Sequence, residues 1–345
     1  MTAEAQLDRT TADNHFRLGL LFAVSSALAF GSSGPFAKAL MESGWSPTAA
    51  VTARLAGGAL MMAAFASVVR PGWIREVLGH AKTVVGYGLI PIAGAQLCYY
   101  NAVAHLSVGV ALLLEYTAPI LVVGWVWATT RHRPSAMTFG GVAVAVAGIV
   151  LVLDVFSGAQ INLAGVTWGL AAAVCAACYF MMSNKASADG DGLSPISLAA
   201  GGLIIGTAAV ALLGVTGVMP LTFTTNPVTI AGHTTAWLVP VIALGLIPTA
   251  LAYTLGIVGI ARLKPRFASL VGLSEVLFAV LIAWIMLGEA MSVSQAIGGA
   301  VVLVGLALAR QGDRSEQADP DAATHVELAT WPDMALQETS ERAID

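Results

Sequence analysis

The composition of this 345-residue chain excludes a soluble globular protein. Hydrophobic residues make up 57% of the chain and charged residues only 10%, whereas a soluble domain carries roughly a quarter charged residues. The net charge of -4 conceals a division along the chain, because the segment from Gln311 to Asp345 holds nine acidic residues against two basic ones. These values predict an all-α integral membrane protein in contact with a lipid bilayer, followed by an acidic tail.

Ten apolar runs, interrupted by charge, proline or glycine, predict ten transmembrane helices, since one span needs about 20 apolar residues. The predicted spans cover residues 18–40, 46–69, 84–104, 107–129, 136–155, 163–183, 196–218, 237–260, 267–287 and 293–309. Residues 1–17 form a polar N-terminal tail without the pattern of a removable signal peptide. Residues 310–345 form an acidic tail that we expect to be disordered.

Basic residues predict the orientation, because loops rich in Lys and Arg remain cytoplasmic. They occur in the N-terminal tail and in every second loop, while the remaining loops have none. We therefore expect a multi-pass protein with both termini in the cytoplasm.

An internal repeat relates the two halves of the chain. The tetrapeptide Gly-Leu-Ile-Pro occupies Gly88–Pro91 and again Gly245–Pro248, an offset of 157, and the same offset places Trp127 on Trp284. Because each copy has five spans, an odd number, the second copy must enter the membrane from the opposite side. Such inverted repeats are typical of secondary transporters, whose substrate site lies near the midplane between the halves. The predicted repeats of five transmembrane helices are residues 18–155 and 163–309.

Three ionisable residues lie inside predicted spans, where an ionised side chain costs on the order of 3 kcal/mol without a partner or a water-filled cavity. Arg54 and Glu115 each lie eight residues inside a span that starts at the outer face, so both are about 12 Å deep. We expect them to face each other or a common cavity, where they bind the carboxylate and ammonium of a zwitterion. The alternative is a salt bridge that only joins spans two and four. Glu275 lies near the midplane, as a candidate for proton coupling or as a neutral buried carboxyl.

Polar and aromatic side chains within the spans complete the candidate substrate-binding set: Gln96, Tyr99, Tyr100, Tyr116 and Tyr253. Gln96 and the neighbouring tyrosines of span three share one helix face. Tyr253 corresponds to Gln96 under the 157-residue offset. An amide within hydrocarbon must find partners, which favours Gln96, whereas tyrosines also serve in packing. Lys38, near the end of span one, is expected to extend to the outer lipid headgroups, with substrate contact as the alternative.

Prolines and glycine pairs predict the shapes of the helices. Pro91, Pro119 and Pro248 free backbone carbonyl groups inside spans three, four and eight, and predict kinks or hinges there. Glycine pairs such as Gly140-Gly141 and Gly298-Gly299 allow helices to approach closely, so we interpret them as packing positions.

Three segments of the chain resemble the drug/metabolite transporter superfamily, and specifically its ten-span EamA type, over about residues 18–309. They are Ala53-Arg54-Leu55, the stretch Leu113–Pro119, and Leu287-Gly288-Glu289. Within the superfamily, Phe36–Leu40 and the Glu115 segment are most similar to bacterial threonine and homoserine exporters. The resemblance implies an inner-membrane exporter of small metabolites, with two inverted five-helix repeats and a central cavity lined by spans one, three, four, six, eight and nine.

Two departures from the family pattern lie within span nine and at the end of span four. Val276 follows Glu275 where the family usually has proline, which leaves a kink in span nine in doubt. Arg131-His132 replaces the expected Gly-Glu at the end of span four.

The sequence therefore predicts a secondary exporter of small amino acids or related zwitterions that works by alternating access. The alternatives are an exporter of drugs or other hydrophobic metabolites, a membrane-embedded enzyme, and a sensor that transports nothing. A phosphate-binding Gly-x-x-x-x-Gly-Lys-Ser/Thr loop is absent from the sequence, so we expect no direct ATP coupling. We expect no catalytic residue, cofactor, metal site or nucleic-acid partner. Protons are a candidate coupling ion, and the oligomeric state is left open.

Overall fold

A computed structural model describes residues 3–131, 133–153, 162–188, 193–252, 255–256 and 265–317. Tyr253 and the tail beyond residue 317 lie outside these ranges. The helices are α1 (Ala3–Gly31), α2 (Ser33–Glu42), α3 (Pro47–Val69), α4 (Trp73–Gly79), α5 (Ala81–Tyr87), α6 (Ala95–His105), α7 (Val108–Glu115), α8 (Ala118–Thr130), α9 (Ala136–Val152), α10 (Leu163–Ala188), α11 (Pro195–Val215), α12 (Leu238–Gly245), α13 (Pro265–Leu287) and α14 (Val293–Gln317). Two π-helical segments, π1 (Gly88–Gly94) and π2 (Leu246–Leu251), join α5 to α6 and extend α12.

Several of these helices are apolar enough to cross a membrane. Among the described residues, four stretches have the length and composition of a span: Arg17–Glu42, Pro47–Val69, Val108–Thr129 and Pro195–Val215. Five shorter apolar helices also occur: Ala136–Val152, Leu163–Tyr179, Leu238–Thr249, Val271–Leu287 and Val293–Ala309. The prediction of a helical integral membrane protein is thus supported, while helix α1 begins before the predicted first span and α14 extends eight residues past residue 309.

Serine caps define where several helices begin. The Ser46 side chain accepts a hydrogen bond from the backbone N–H of Ala49 at 3.2 Å, and Pro47 takes the first helical position, where no N–H is needed. Ser194 caps α11 in the same way, with Pro195 next in the chain. The predicted start of span two at Ser46 is therefore the helix cap itself.

The π-helical segments coincide with the duplicated tetrapeptide. Pro91 lies inside π1, and Pro248 lies inside π2. Proline lacks an N–H and its ring clashes with the carbonyl of the preceding turn, so the regular hydrogen-bond ladder cannot continue through it. Widened π turns are one way in which a helix accommodates such a disruption. Pro119 marks a third irregularity, because it lies in the first turn of α8, just after α7 ends. Regular α-helix is thus interrupted at or beside all three prolines, while kinks or hinges there stay a prediction.

The helices pack as pairs taken from the two halves of the chain. Helix α9 lies against α14, α3 against α11, α1 against α13, and α10 against α6, α7 and α8. Glycines allow the closest approach. A Cβ atom built on Gly148 of α9 would lie 2.6 Å from the Val302 nitrogen of α14, and one on Gly298 would lie 2.6 Å from the Val152 nitrogen. The interpretation as packing positions is confirmed for Gly141, Gly298 and Gly299, but it is wrong for Gly140, where no described atom outside its own helix lies within 4 Å of the Cβ position.

A short hairpin between α11 and α12 contains strands β1 (Val228–Ile230) and β2 (His233–Thr235), which pair antiparallel. Its two-residue turn has positive φ at both Ala231 and Gly232, the geometry that matches the twist of a hairpin. The loop that leads to the hairpin is fixed to the α2–α3 connection, because Trp45 Nε1 donates to the Thr224 carbonyl at 2.9 Å. Sequence patterns did not predict this hairpin.

Candidate functional site

Arg54 forms the centre of a hydrogen-bonded group between α3 and α6. Its side chain is half-buried, and Nη1 donates to Gln96 Oε1 at 2.6 Å and to the Tyr100 hydroxyl at 3.3 Å. The guanidinium carbon also lies 5.8 Å from the centroid of the Tyr100 ring. Gln96 and Tyr100 are four residues apart and therefore share one face of α6. An amide, a hydroxyl and an aromatic face together offset part of the cost of removing this charge from water.

Two adjacent tyrosines extend this group to α2. Tyr100 is fully buried, and its hydroxyl lies 3.1 Å from Ser33 Oγ. The Tyr99 ring centroid is 5.6 Å from that of Tyr100, and the Tyr99 hydroxyl fills the space that a side chain at Gly34 would need. Because Gly34 has no side chain, α2 and α6 can approach closely enough for both tyrosines to be enclosed.

A second hydrogen-bonded group joins the end of α7 to α13. Helix α7 ends at Glu115, and Tyr116 follows it directly. The Tyr116 hydroxyl lies 2.8 Å from Glu275 Oε2 and 3.2 Å from the Gly272 carbonyl, so these two acceptors share its single proton. The carboxyl group of Glu275 is therefore held next to the segment that carries Glu115.

The two groups form one electrostatic cluster. The charges of Arg54 and Glu275 both act on the Glu115 carboxyl, and Arg54 also acts on Glu275. Tyr99 lies within range of all three. Arg54, Glu115 and Glu275 are each half-buried among the helices. Ionisable groups inside a helical membrane bundle usually face its interior or a water-filled cavity, and they mark candidate pathways for polar solutes.

This cluster offers one cationic and two acidic groups within a small volume. Arg54 can form hydrogen bonds to a carboxylate, and Glu115 or Glu275 can accept hydrogen bonds from an ammonium group or carry a proton. The sequence predicted that Arg54 and Glu115 face each other or a common cavity. The structure brings them into the same cluster together with Gln96, Tyr99, Tyr100, Tyr116 and Glu275. Substrate contact by these residues stays a prediction.

The remaining two candidate residues, Lys38 and Tyr253, are not part of this cluster as described. Lys38 was expected to reach the outer lipid headgroups, and this expectation is wrong. Its Nζ forms an ion pair with Glu289 and donates to the Leu106 carbonyl at 2.9 Å, because a half-buried acid and a backbone carbonyl at neighbouring helix ends are available to it. Tyr253, the predicted counterpart of Gln96, lies outside the described residues.

Sequence reasoning assigned no role to Ser33 or Glu289. Ser33 gave no signal, because a single hydroxyl in a Gly-Ser-Ser-Gly stretch has no periodicity. Glu289 was noted within Leu287-Gly288-Glu289, but its partners are about 180 or more positions away in the chain. Within the described ranges, no group of three or more His, Cys, Asp or Glu residues is placed to hold a metal ion.

A model of the EamA-like transporter family matches residues 17–154 and again residues 163–311. Threonine/homoserine exporter RhtA of Salmonella typhimurium LT2 is 29% identical over 282 residues, which cover 80% of this chain and 84% of that protein. RhtA of Escherichia coli K12 is 28% identical, over 72% of this chain and 77% of that protein. The uncharacterized inner membrane transporter YicL of Salmonella typhimurium LT2 is 23% identical, over 83% and 93%.

A protein of known crystal structure shares the fold. It matches with a TM-score of 0.54 and 20% sequence identity, over 85% of this chain and 98% of that chain. At this identity the match concerns the arrangement of the helices alone.

Proposed function

The chain belongs to the EamA-like transporter family, and we propose that it is a secondary exporter of small amino acids or related zwitterions. A transporter in the cytoplasmic membrane handles a small-molecule substrate within a lipid bilayer. The cargo is inferred from the chemistry of the candidate site. The names of the RhtA relatives suggest threonine and homoserine as the first substrates to test.

The observation that carries this proposal is the cluster of opposite charges between the helices. A zwitterion presents a carboxylate and an ammonium group a few ångströms apart, and a site that binds it in hydrocarbon must compensate both. The Arg54 guanidinium can receive the carboxylate, and the Glu115 carboxyl can receive the ammonium. Gln96 and Tyr100 hold the Arg54 side chain in place through the contacts of Nη1. Lys38 enters the proposal through the closure of the bundle and not as a substrate ligand.

The proposed mechanism is alternating access between two inverted repeats of five helices, with both termini in the cytoplasm. Three observations support the repeat. The π-helical segments carry the same tetrapeptide at an offset of 157. Arg131 and Gly288, which that offset also relates, both adopt positive φ at the end of a helix. The packing of α3 on π2 has a counterpart in the packing of α11 on π1.

Glu275 is the candidate for proton coupling in this mechanism. Its carboxyl group accepts a hydrogen bond from Tyr116 and lies within electrostatic range of Arg54 and Glu115. Protonation would change the balance of charge in the cluster by one unit. Glu275→Gln should therefore retain exchange of substrate across the membrane but lose net transport driven by a pH gradient. Equal loss of both activities in a folded variant would assign Glu275 to substrate binding instead.

The second candidate function is export of drugs or other hydrophobic metabolites. The tyrosines Tyr99, Tyr100 and Tyr116 around the charge cluster favour it, because aromatic side chains bind apolar or cationic ligands through their ring faces. Transport of such ligands would depend more on these tyrosine rings than on the opposite charges of the cluster.

Counterflow in proteoliposomes tests the proposal. Vesicles are loaded with unlabelled threonine, homoserine, serine or alanine, and uptake of a labelled amino acid is compared for the wild type, Arg54→Gln and Glu115→Gln. Arg75→Gln is the matched control, since Arg75 is exposed on α4. Loss of a charged hydrogen bond worth about 1.5–3 kcal/mol predicts at least about a tenfold decrease in both site variants.

Two outcomes would overturn the zwitterion proposal. One is wild-type counterflow in both Arg54→Gln and Glu115→Gln, which would reduce the cluster to a structural contact. The other is an absence of counterflow with every amino acid tested from folded wild-type protein. Transport of an apolar cation by that same preparation would then favour the second candidate.

A further inference from the structure

Lys38 and Glu289 form a clamp across three helix ends, together with the backbone groups of Leu106 and Val108. Glu289 follows Gly288, whose φ of 71° turns the chain after α13. One carboxylate oxygen of Glu289 pairs with Lys38 of α2, and the other accepts the backbone N–H of Val108 at 3.0 Å. Lys38 donates in addition to the Leu106 carbonyl. The clamp therefore joins α2, α7 and α13 at the end of the bundle predicted to face away from the cytoplasm.

Glu289 acts as the N-terminal cap of α7, which its own N-cap residue does not provide. Ser107 occupies the N-cap position of α7, but its side chain makes no capping bond, and its buried Oγ has no hydrogen-bond partner among the described residues. The first N–H groups of a helix require an acceptor, and a negative charge is favoured there. The Glu289 carboxylate supplies both from the turn that follows α13. The beginning of α7 is thus held by a residue just beyond the end of a different helix.

Helix α7 connects the clamp to the candidate site. It runs for eight residues from Val108 to Glu115, a length of about 12 Å. Its first seven residues are buried, which favours movement of this short helix as one unit. A displacement at Val108 would then be transmitted to Glu115, the residue proposed to bind the substrate ammonium.

Glu289, the acidic residue of the clamp, has no acidic counterpart in the first repeat of the sequence. The 157-residue offset relates Gly288 to Arg131, and Arg131 has the same left-handed backbone, with φ 62°. The residue that corresponds to Glu289 is His132, which lies outside the described residues and is not an acid. An ion pair that depends on this carboxylate is therefore possible at one end of the bundle alone.

From these contacts we propose that Lys38 and Glu289 are positioning residues. They hold α7 and Glu115 in the conformation in which the transporter is closed on the side that faces away from the cytoplasm. The proposal rests on the transport function above. Lys38 and Glu289 must separate before substrate can leave on that side. The ion pair therefore favours, in the resting protein, the conformation that binds substrate from the cytoplasm. Weakening it should populate the opposite state, and the apparent affinity for cytoplasmic substrate should fall in proportion to the population of the competent state.

The test measures a distance across the clamped end. Spin labels are placed at Ala104, at the exposed end of α6, and at Val293, which is 77% exposed, after the three native cysteines are changed to alanine. Double electron–electron resonance on the full chain in lipid nanodiscs compares Glu289→Gln and Lys38→Gln with the wild type. Lys38→Arg retains the ion pair, and Glu76→Gln removes the Arg70–Glu76 pair elsewhere on the protein, so these two variants are the controls.

We expect a longer distance population in Glu289→Gln and Lys38→Gln, and wild-type distances in both controls. In transport assays, the half-saturating concentration of cytoplasmic substrate should rise about three- to tenfold in Glu289→Gln, with less than about a threefold change in maximal rate. Wild-type distances in both clamp variants, in protein that elutes as a folded species, would overturn the proposal. Because the distance measurement needs no substrate, it remains decisive if amino acids prove not to be the cargo.

Discussion

Replacing Gly148 with alanine tests how closely α9 and α14 are packed. The added Cβ would lie 2.6 Å from the Val302 nitrogen and 2.9 Å from the Gly298 carbonyl oxygen. Both neighbours are backbone atoms, so no side-chain rotation relieves the overlap and the two helices must separate by several tenths of an ångström. Overpacking of this kind costs about 1–3 kcal/mol. We therefore expect Gly148→Ala to lower the free energy of unfolding.

A matched control lies on the same helix. For Gly140, no described atom outside its own helix lies within 4 Å of the position that a Cβ would take. Replacing glycine by alanine favours the helix by about 1 kcal/mol at either position, so this contribution cancels when the two variants are compared. The difference of about 1–3 kcal/mol then reports the overlap alone.

Thermal unfolding in detergent, followed by size-exclusion chromatography of the heated samples, measures the effect. Gly148→Ala should have an apparent melting temperature several degrees below that of Gly140→Ala, which should equal or exceed the wild type. Identical melting temperatures for the two variants would show that the close approach at Gly148 does not exist in the protein.

Two further substitutions test the candidate site and a contact remote from it. Tyr116→Phe removes the 2.8 Å hydrogen bond to Glu275 and should lower stability by about 1 kcal/mol while changing the pH profile of transport. An unchanged pH profile of transport would show that Glu275 takes no part in proton movement. Burial raises the pKa of Glu76, but hydrogen bonds from Arg70, Ser197 and Ser194 outweigh it and lower the pKa to about 2. A lowered pKa gives stability that is present above the usual 4.5 and lost only as the pH falls toward 2, so Glu76 stays ionised between about pH 5 and 8. Glu76→Gln should therefore melt at a lower temperature than the wild type at neutral pH, yet retain the wild-type pH profile of transport. A shifted pH profile of transport would contradict the placement of Glu76 outside the transport site.

Sequence patterns predicted what depends on local chemistry. The helix start at Ser46 followed from the beginning of an apolar run, where the structure then shows a serine cap next to a proline. The irregularities at Pro91 and Pro248 followed from the missing N–H groups. The grouping of Arg54 with Glu115 followed from the cost of charge in hydrocarbon, which restricts where such residues can lie.

Contacts between distant segments could not be predicted in this way. The partners of Arg54 depend on which face α6 presents, and that face is set by the π-helical turn before it. The pairing of Lys38 with Glu289 joins helices 251 positions apart, and no periodicity in the sequence relates them. Lipid headgroups were a plausible destination for Lys38 because the sequence does not show that an acid closes the same end of the bundle.

The π-helical turn before α6 also controls the winding of that helix. Each residue rotates an α-helix by about 100°, so the widened turn fixes the direction in which Gln96 and Tyr100 point after Pro91. If one residue were lost from Gly88–Gly94, the rest of α6 would rotate by about that angle and carry both side chains away from Arg54. The number of residues in this segment is therefore as much a part of the site as the identity of its side chains.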